Sequence, residues 1–457
     1  MAANYFDAEE DELAPFRPVL AVVRKNEIPL EAKKIWNSAY PDRSLLHLPI
    51  VRQPHHGSYN ILFEVQFTFK DKREEIWLLK IPINGIPSYW DTLCTNELES
   101  EARTMQLIRN RTTIPVPEVF GYEKTCDNPL KCPHIWLSFI PGISLYDFWH
   151  AETSEANRTS RRTHVLKGVA SAMVQLSKFS YNEGGRLLFD SKGQVKQVVH
   201  RRERDSVESD ARLDKDNYMP AYRSSGPYGK AKQFYTTALD RYNPGTDFLR
   251  GQKRLLEFFI DCVDEFFADY RQSFVLAHPD FSLQNFLVDK YGNLTGIIDW
   301  DGVGAWPKSL GNLSYPGWLT RDWDPGMYGC DPAGQLLYHE VPEDSPQTLV
   351  HCRYIYQTAI VDAIVENNMQ KNYRNQNTSA TLITENLYIA ATHPMRSGNI
   401  LKKIVDEIAK VAEVPYPYSM EFLYRDLCYG FAEGKLPNEV LAPVKGGFTA
   451  LLRSTDL

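Results

Sequence analysis

The run Phe274-Val-Leu-Ala-His-Pro-Asp-Phe-Ser-Leu-Gln-Asn-Phe-Leu-Val-Asp289, followed by Leu294-Thr-Gly-Ile-Ile-Asp-Trp-Asp301, constrains this chain more than any other stretch. An apolar strand runs into His278-Pro279-Asp280, Asn285 follows five residues on, and a second short strand leads to a Lys290-Tyr-Gly-Asn293 turn. A third apolar strand delivers Asp299 at its end. The spacing predicts a polar loop followed by a hairpin, with Asp280, Asn285 and Asp299 at the strand ends. Phosphoryl transfer needs such a set. One carboxylate accepts or orients the proton of an attacking hydroxyl, and an amide oxygen and a second carboxylate hold magnesium against nucleotide phosphates. Taken singly, each residue reads more readily as a turn former or a cap than as a ligand. The joint pattern carries the reading.

Upstream, Ile61, Phe63, Val65, Phe67 and Phe69 alternate with Leu62, Glu64, Gln66 and Thr68, which predicts a strand with one buried face. Asp71-Lys72-Arg73 makes a turn, and Ile76 to Ile81 returns as a second strand that places Lys80 in an apolar setting. Residues 95–110 read as a helix with Thr95 as its cap and Glu97, Glu99 and Glu101 in its N-terminal half. Lys80 with Glu101 forms an ion pair able to present a cation to phosphates. Glu97, one turn earlier, is an alternative partner. Gly57-Ser-Tyr-Asn60 opens the first strand with small residues that let backbone amides approach phosphate oxygens. A strand near Val119 and another over Ile135 to Ile140, ended by Pro141-Gly142, complete a small antiparallel sheet with one helix.

Beyond Pro141 the periodicity predicts helices at about 162–179, 252–270, 347–369, 398–413 and 419–434. The stretch His200 to Asp216 mixes both charge signs and reads as a solvated insertion. Residues 1–35 read as an N-terminal arm laid over the fold. A formal charge of −7 over 457 residues gives no general attraction to nucleic acid or anionic lipid, so neither is an expected partner. No apolar run reaches the roughly 18 residues a membrane span requires. The acidic start lacks a signal core, which predicts a cytoplasmic protein. Seven scattered cysteines form no metal-ligand pairs and read as reduced thiols.

These motifs resemble the aminoglycoside phosphotransferase-like branch of the protein-kinase-like superfamily, which includes choline kinases, in a version common among fungal members. The likeness rests on His278-Pro-Asp280 with Asn285, on Ile297-Ile-Asp-Trp-Asp301, and on Glu101 followed by Ile114-Pro-Val-Pro117. It implies an α+β, two-lobed fold: an N-lobe over 36–140, with a small antiparallel sheet and one helix, and a large, mainly helical C-lobe over 141–457. The C-lobe would hold the catalytic loop 278–285, the metal-binding strand end 297–301 and a variable insertion at about 185–250. It also implies an ATP- and magnesium-dependent kinase acting on a hydroxyl of a small molecule. Asp280 would be the catalytic carboxylate, and Asn285 and Asp299 the magnesium ligands. Lys80 would bind phosphates and pair with Glu101, Gly57, Ser58 and Asn60 would line the phosphate loop, and the backbone at Ser138, Phe139 and Ile140 would meet adenine. Asp301, Asp322 and Asp324 are candidates for a negative wall suited to an amine-bearing acceptor. Pro279 stands where such families often carry glycine, and residues 53–56 lack a full glycine-rich loop. Nucleotidyl transfer, ligation, or a nucleotide-binding scaffold without turnover are the alternatives.

Overall fold

The structure is a computed structural model that describes residues 13–204, 221–268, 274–331, 334–337, 342–369, 378–414 and 422–454. The described chain forms two compact units. The first holds the residues up to Pro141 together with those of Arg186–Ser225 and Gly296–Val303, and the second holds the remainder.

In the first unit, β1 (Ile50–His56), β2 (Asn60–Thr68), β3 (Glu74–Pro82), β4 (Val119–Glu123) and β5 (His134–Ser138) make one sheet in the order β1-β2-β3-β5-β4. Every neighbouring pair is antiparallel, with Leu62 opposite Lys80 and Lys80 opposite Ile135. The alternation read from the sequence is kept. Ile61, Phe63, Val65 and Phe67 of β2 and Trp77, Leu79 and Ile81 of β3 share one buried face. Phe16, Val19, Ile28, Ala32 and Trp36 are buried in the same core, the last three on α1 (Ile28–Ala39). The described part of the N-terminal stretch thus contributes apolar side chains to this core.

On the other side of β3 runs α2 (Thr92–Arg111). Its cap is Asp91, whose side chain accepts from the Cys94 N–H at 2.8 Å, and not Thr95, which lies inside the helix and bonds back to the Asp91 carbonyl. The 185–250 stretch, expected in the helical half, divides between the units. Arg186–Phe189 pairs with Val195–Val199, and Arg201–Arg204 with Tyr222–Ser225, all within the first unit. Part of the expected solvated insertion, 205–216, lies outside the described residues. Within the described part, the Arg202 side chain is only 9% exposed, paired with Asp301 and laid over the Tyr222 ring.

The second unit contains α3 (Glu155–Gln175), α4 (Asp247–Phe266), α5 (Pro346–Glu366), α6 (Thr378–Thr392), α7 (Pro394–Val411), α8 (Leu423–Glu433) and α9 (Asn438–Arg453). Five of these match the predicted amphipathic segments. α6 escaped prediction because it is buried nearly all round and so has no polar face to set a period. Phe274–Ala277 pairs with Gly304–Pro307, and Phe286–Val288 with Ile143–Ser144. No described helix is long and apolar enough to cross a membrane. All seven cysteines are free thiols.

Candidate active site

Glu101, Asp299 and Asp301 gather around the Lys80 ammonium in the first unit. The pleat of β3 turns Lys80 away from the Trp77–Leu79–Ile81 core and toward α2, where Nζ donates to Glu101 Oε1 at 2.7 Å. Asp299 Oδ1 lies 3.5 Å from the same nitrogen. Burial works against charge on Lys80, but the carboxylates of Glu101, Asp299 and Asp301 outweigh it and hold its pKa above the ordinary lysine value. Burial lifts the Glu101 carboxyl above its ordinary value, against the pull of Lys80. Of the two helix carboxylates that the sequence left open, the structure selects Glu101. Glu97 instead pairs with Arg186 Nε at 3.2 Å and accepts the Arg202 backbone N–H at 2.6 Å.

Asp299 sits at φ +59°, a left-handed conformation that aspartate tolerates better than most residues. Hydrogen bonds anchor the residues on either side of it. The Ile297 N–H donates to the Pro115 carbonyl at 2.8 Å, and the buried Trp300 indole donates to the Ile297 carbonyl at 2.9 Å. Gly302, at φ +80°, lets the chain turn directly afterwards. The Asp299 side chain is left 49% exposed, which suits a ligand-binding carboxylate better than a structural one.

Asn60 is buried and hydrogen-bonds Asp301, and both line a cavity with Lys80, Glu101, Cys94 and Arg202. Gly57 and Ser58 form the exposed β1–β2 turn, closed by the Gly57 N–H on the Asn60 carbonyl at 2.9 Å. At the end of β5 the Ser138 N–H donates to the Glu118 carbonyl at 2.9 Å and its Oγ accepts the Glu118 N–H at 2.8 Å. The Phe139 N–H donates to the Ile76 carbonyl at 3.3 Å, Phe139 itself is exposed, and Ile140 is half-buried.

Asp280 and Asn285 belong to the second unit. The buried His278 ring accepts the Asp280 N–H on Nδ1 at 3.2 Å, which leaves its proton on Nε2. Asn285, buried in a 3-10 turn, donates from Nδ2 to the Asp280 carbonyl at 2.9 Å. The amide is thereby oriented, its nitrogen committed to the loop that carries the exposed Asp280 carboxylate.

The three aspartates expected as a negative wall are each matched to an arginine. Asp301 pairs with Arg202 at 3.2 Å, Asp322 takes Arg353 with both oxygens at 2.7 and 3.1 Å, and Asp324 is bound by Arg396. Compensated in this way, they present no free negative wall. Among the described residues, a carboxyl with no arginine beside it lies elsewhere. A pocket of the second unit is walled by His278, Asp280, Trp306, Tyr315, Glu385 and Tyr388. There Glu385 Oε2 and Ser314 Oγ are shut off from solvent without a hydrogen-bond partner. Burial pushes the Glu385 carboxyl up to about 8, with a Thr320 hydrogen bond pulling the other way. Neither Glu385 nor Arg202 stood out in the sequence: one lies in an apolar helix without a clear period, the other in a charged stretch.

The family model for APH, the phosphotransferase enzyme family, matches residues 95–306. The matched span includes Glu101, Asp280, Asn285 and Asp299. A subtelomeric hrmA-associated cluster protein of Aspergillus fumigatus is 31% identical over 109 residues, 24% of this chain and 20% of that one. Altered inheritance of mitochondria protein 9, mitochondrial, of Candida tropicalis is 27% identical over 100 residues, 22% of this chain and 16% of that one. The chain thus spans about a fifth of the length of these relatives. Among solved structures, a Plasmodium vivax ethanolamine kinase aligns with a TM-score of 0.41 at 10% identity, covering 92% of this chain and 91% of that one.

Proposed function

We propose that this chain is an ATP- and magnesium-dependent phosphotransferase that moves the γ-phosphoryl group to a hydroxyl of an amine-bearing small molecule. The observation that carries the reading is the buried Lys80–Glu101 pair with the exposed Asp299 carboxylate beside its ammonium. A lysine fixed by one carboxylate and kept protonated is suited to α- and β-phosphates. The donor set fits magnesium: Asn285 and Asp299 offer an amide and a carboxylate oxygen, and a nucleotide-bound ion needs only one or two protein ligands. When bound, the ion would neutralise phosphate charge. Gly57, Ser58 and Asn60 would face the phosphates, and the backbone at Ser138, Phe139 and Ile140 the adenine.

Asp280 takes the proton of the acceptor hydroxyl as its oxygen bonds to the γ-phosphorus, and the bond to the bridging oxygen breaks to release ADP. The acceptor amine belongs with Glu385 in the pocket that Asp280 lines. An ammonium there would supply the partner that Oε2 lacks, with the aromatic walls of Trp306 and Tyr388 adding cation–π attraction. Phosphorus NMR of the protein with Mg-ATP and a pool of amino alcohols and amino sugars tests the reading. ADP with a new phosphate ester supports it. AMP with pyrophosphate, or ATP binding without turnover on any member of the pool, contradicts it.

A further inference from the structure

In the first unit, Glu97, Glu101, Asp299 and Asp301 surround three cations: Lys80, Arg186 and Arg202. The pairing is selective. Lys80 stands 2.7 Å from Glu101, Arg186 3.2 Å from Glu97, and Arg202 3.2 Å from Asp301. Asp299, which shares Lys80 at 3.5 Å, is the most exposed of the four, at 49% against 7%, 4% and 27% for Glu101, Glu97 and Asp301. Arg202 comes from the inserted hairpin and is held on several sides. Its backbone N–H is on Glu97 at 2.6 Å, its guanidinium lies 4.0 Å from the Tyr222 ring centroid, and one nitrogen is 3.7 Å from Cys94 Sγ.

From this division of charges we infer that Arg202 is a positioning residue for the nucleotide phosphates: by neutralising Asp301 it keeps that carboxylate from competing for Lys80. The inference rests on the proposed nucleotide site. Asp301 shares a cavity with Lys80, so in a partly buried setting its unpaired charge would attract the ammonium strongly. Without Arg202, one lysine would face Glu101, Asp299 and an uncompensated Asp301, and its fixed presentation to phosphate would be lost. The insertion, on this account, completes the nucleotide site.

Mg-ATP titration calorimetry on the native protein, R202M, R202K and R202M/D301N, with melting temperatures alongside, tests this. R202M should weaken Mg-ATP binding about tenfold or more, and removal of the orphaned charge in R202M/D301N should restore it to within about threefold, a non-additivity that a purely structural role would not produce. R202K, which keeps the charge but not the stacked guanidinium, should bind Mg-ATP more tightly than R202M. Native affinity in R202M overturns the inference. So does a folded R202M/D301N or R202K that binds as weakly as R202M. Should R202M fail to fold, those two variants decide the matter alone. If the native protein itself does not bind Mg-ATP, the nucleotide reading fails first, and this inference with it.

Discussion

Lys80 donates to Glu101 across 2.7 Å with neither side chain more than 8% exposed, and this pair ties β3 to α2. Breaking a buried pair by removing one partner costs about 3–5 kcal/mol, whereas replacing both with apolar groups is often near neutral. Lys80→Met should therefore lower Tm and abolish turnover. Lys80→Met with Glu101→Leu should recover Tm without recovering turnover. Recovery of both would remove the lysine from the chemistry.

Asp280 is exposed, and only its backbone is engaged by His278 and Asn285. Asp280→Asn should leave Tm and Mg-ATP affinity unchanged and reduce turnover by about 10²–10⁴, the usual contribution of a positioned base. Single-turnover kinetics would separate the two effects.

Asparagine tolerates the left-handed conformation at position 299, so Asp299→Asn removes the charge without imposing a new backbone cost. Magnesium-dependent ATP affinity should fall about tenfold or more at constant Tm. ATP affinity measured in EDTA should barely change.

The Glu385 carboxyl, raised by burial from an ordinary 4.5 to about 8, holds its proton in the folded state over a range where the unfolded chain has released it. Stability from this group is thus complete below the unfolded value and is lost as pH rises through about 8. The native Tm should decline between those limits relative to that of Glu385→Gln, by a few degrees. The same variant should raise KM for an amine-bearing acceptor more than it lowers kcat, as checked by initial rates. A flat Tm difference across pH would mean that Glu385 titrates normally.

The strand alternation of β2 and β3, α2, and the loop-and-hairpin order around Asp280, Asn285 and Asp299 were legible because each follows from local period or spacing. Long-range pairing was not. Nothing near Asp322 or Asp324 in sequence announces Arg353 or Arg396, so three aspartates that looked like a charged wall are arginine-bound in the fold. Arg202 was hidden in a stretch whose mixed charges suggest solvent, and tertiary partners such as Asp301, Glu97 and Cys94 surround it. Glu385 was hidden by the small and apolar residues of α6, where burial on nearly all sides erases the helical period.

The central claim is transfer of the γ-phosphoryl group to an alcohol. It is tested most directly by supplying γ-¹⁸O-labelled ATP with magnesium and an extract of small metabolites, then following labelled products by mass spectrometry for the native protein beside Asp280→Asn. The account predicts a metabolite heavier by one labelled phosphoryl group, together with ADP, from the native protein alone. Label retained in pyrophosphate with AMP formed, or an equal yield from the Asp280→Asn protein, would contradict it.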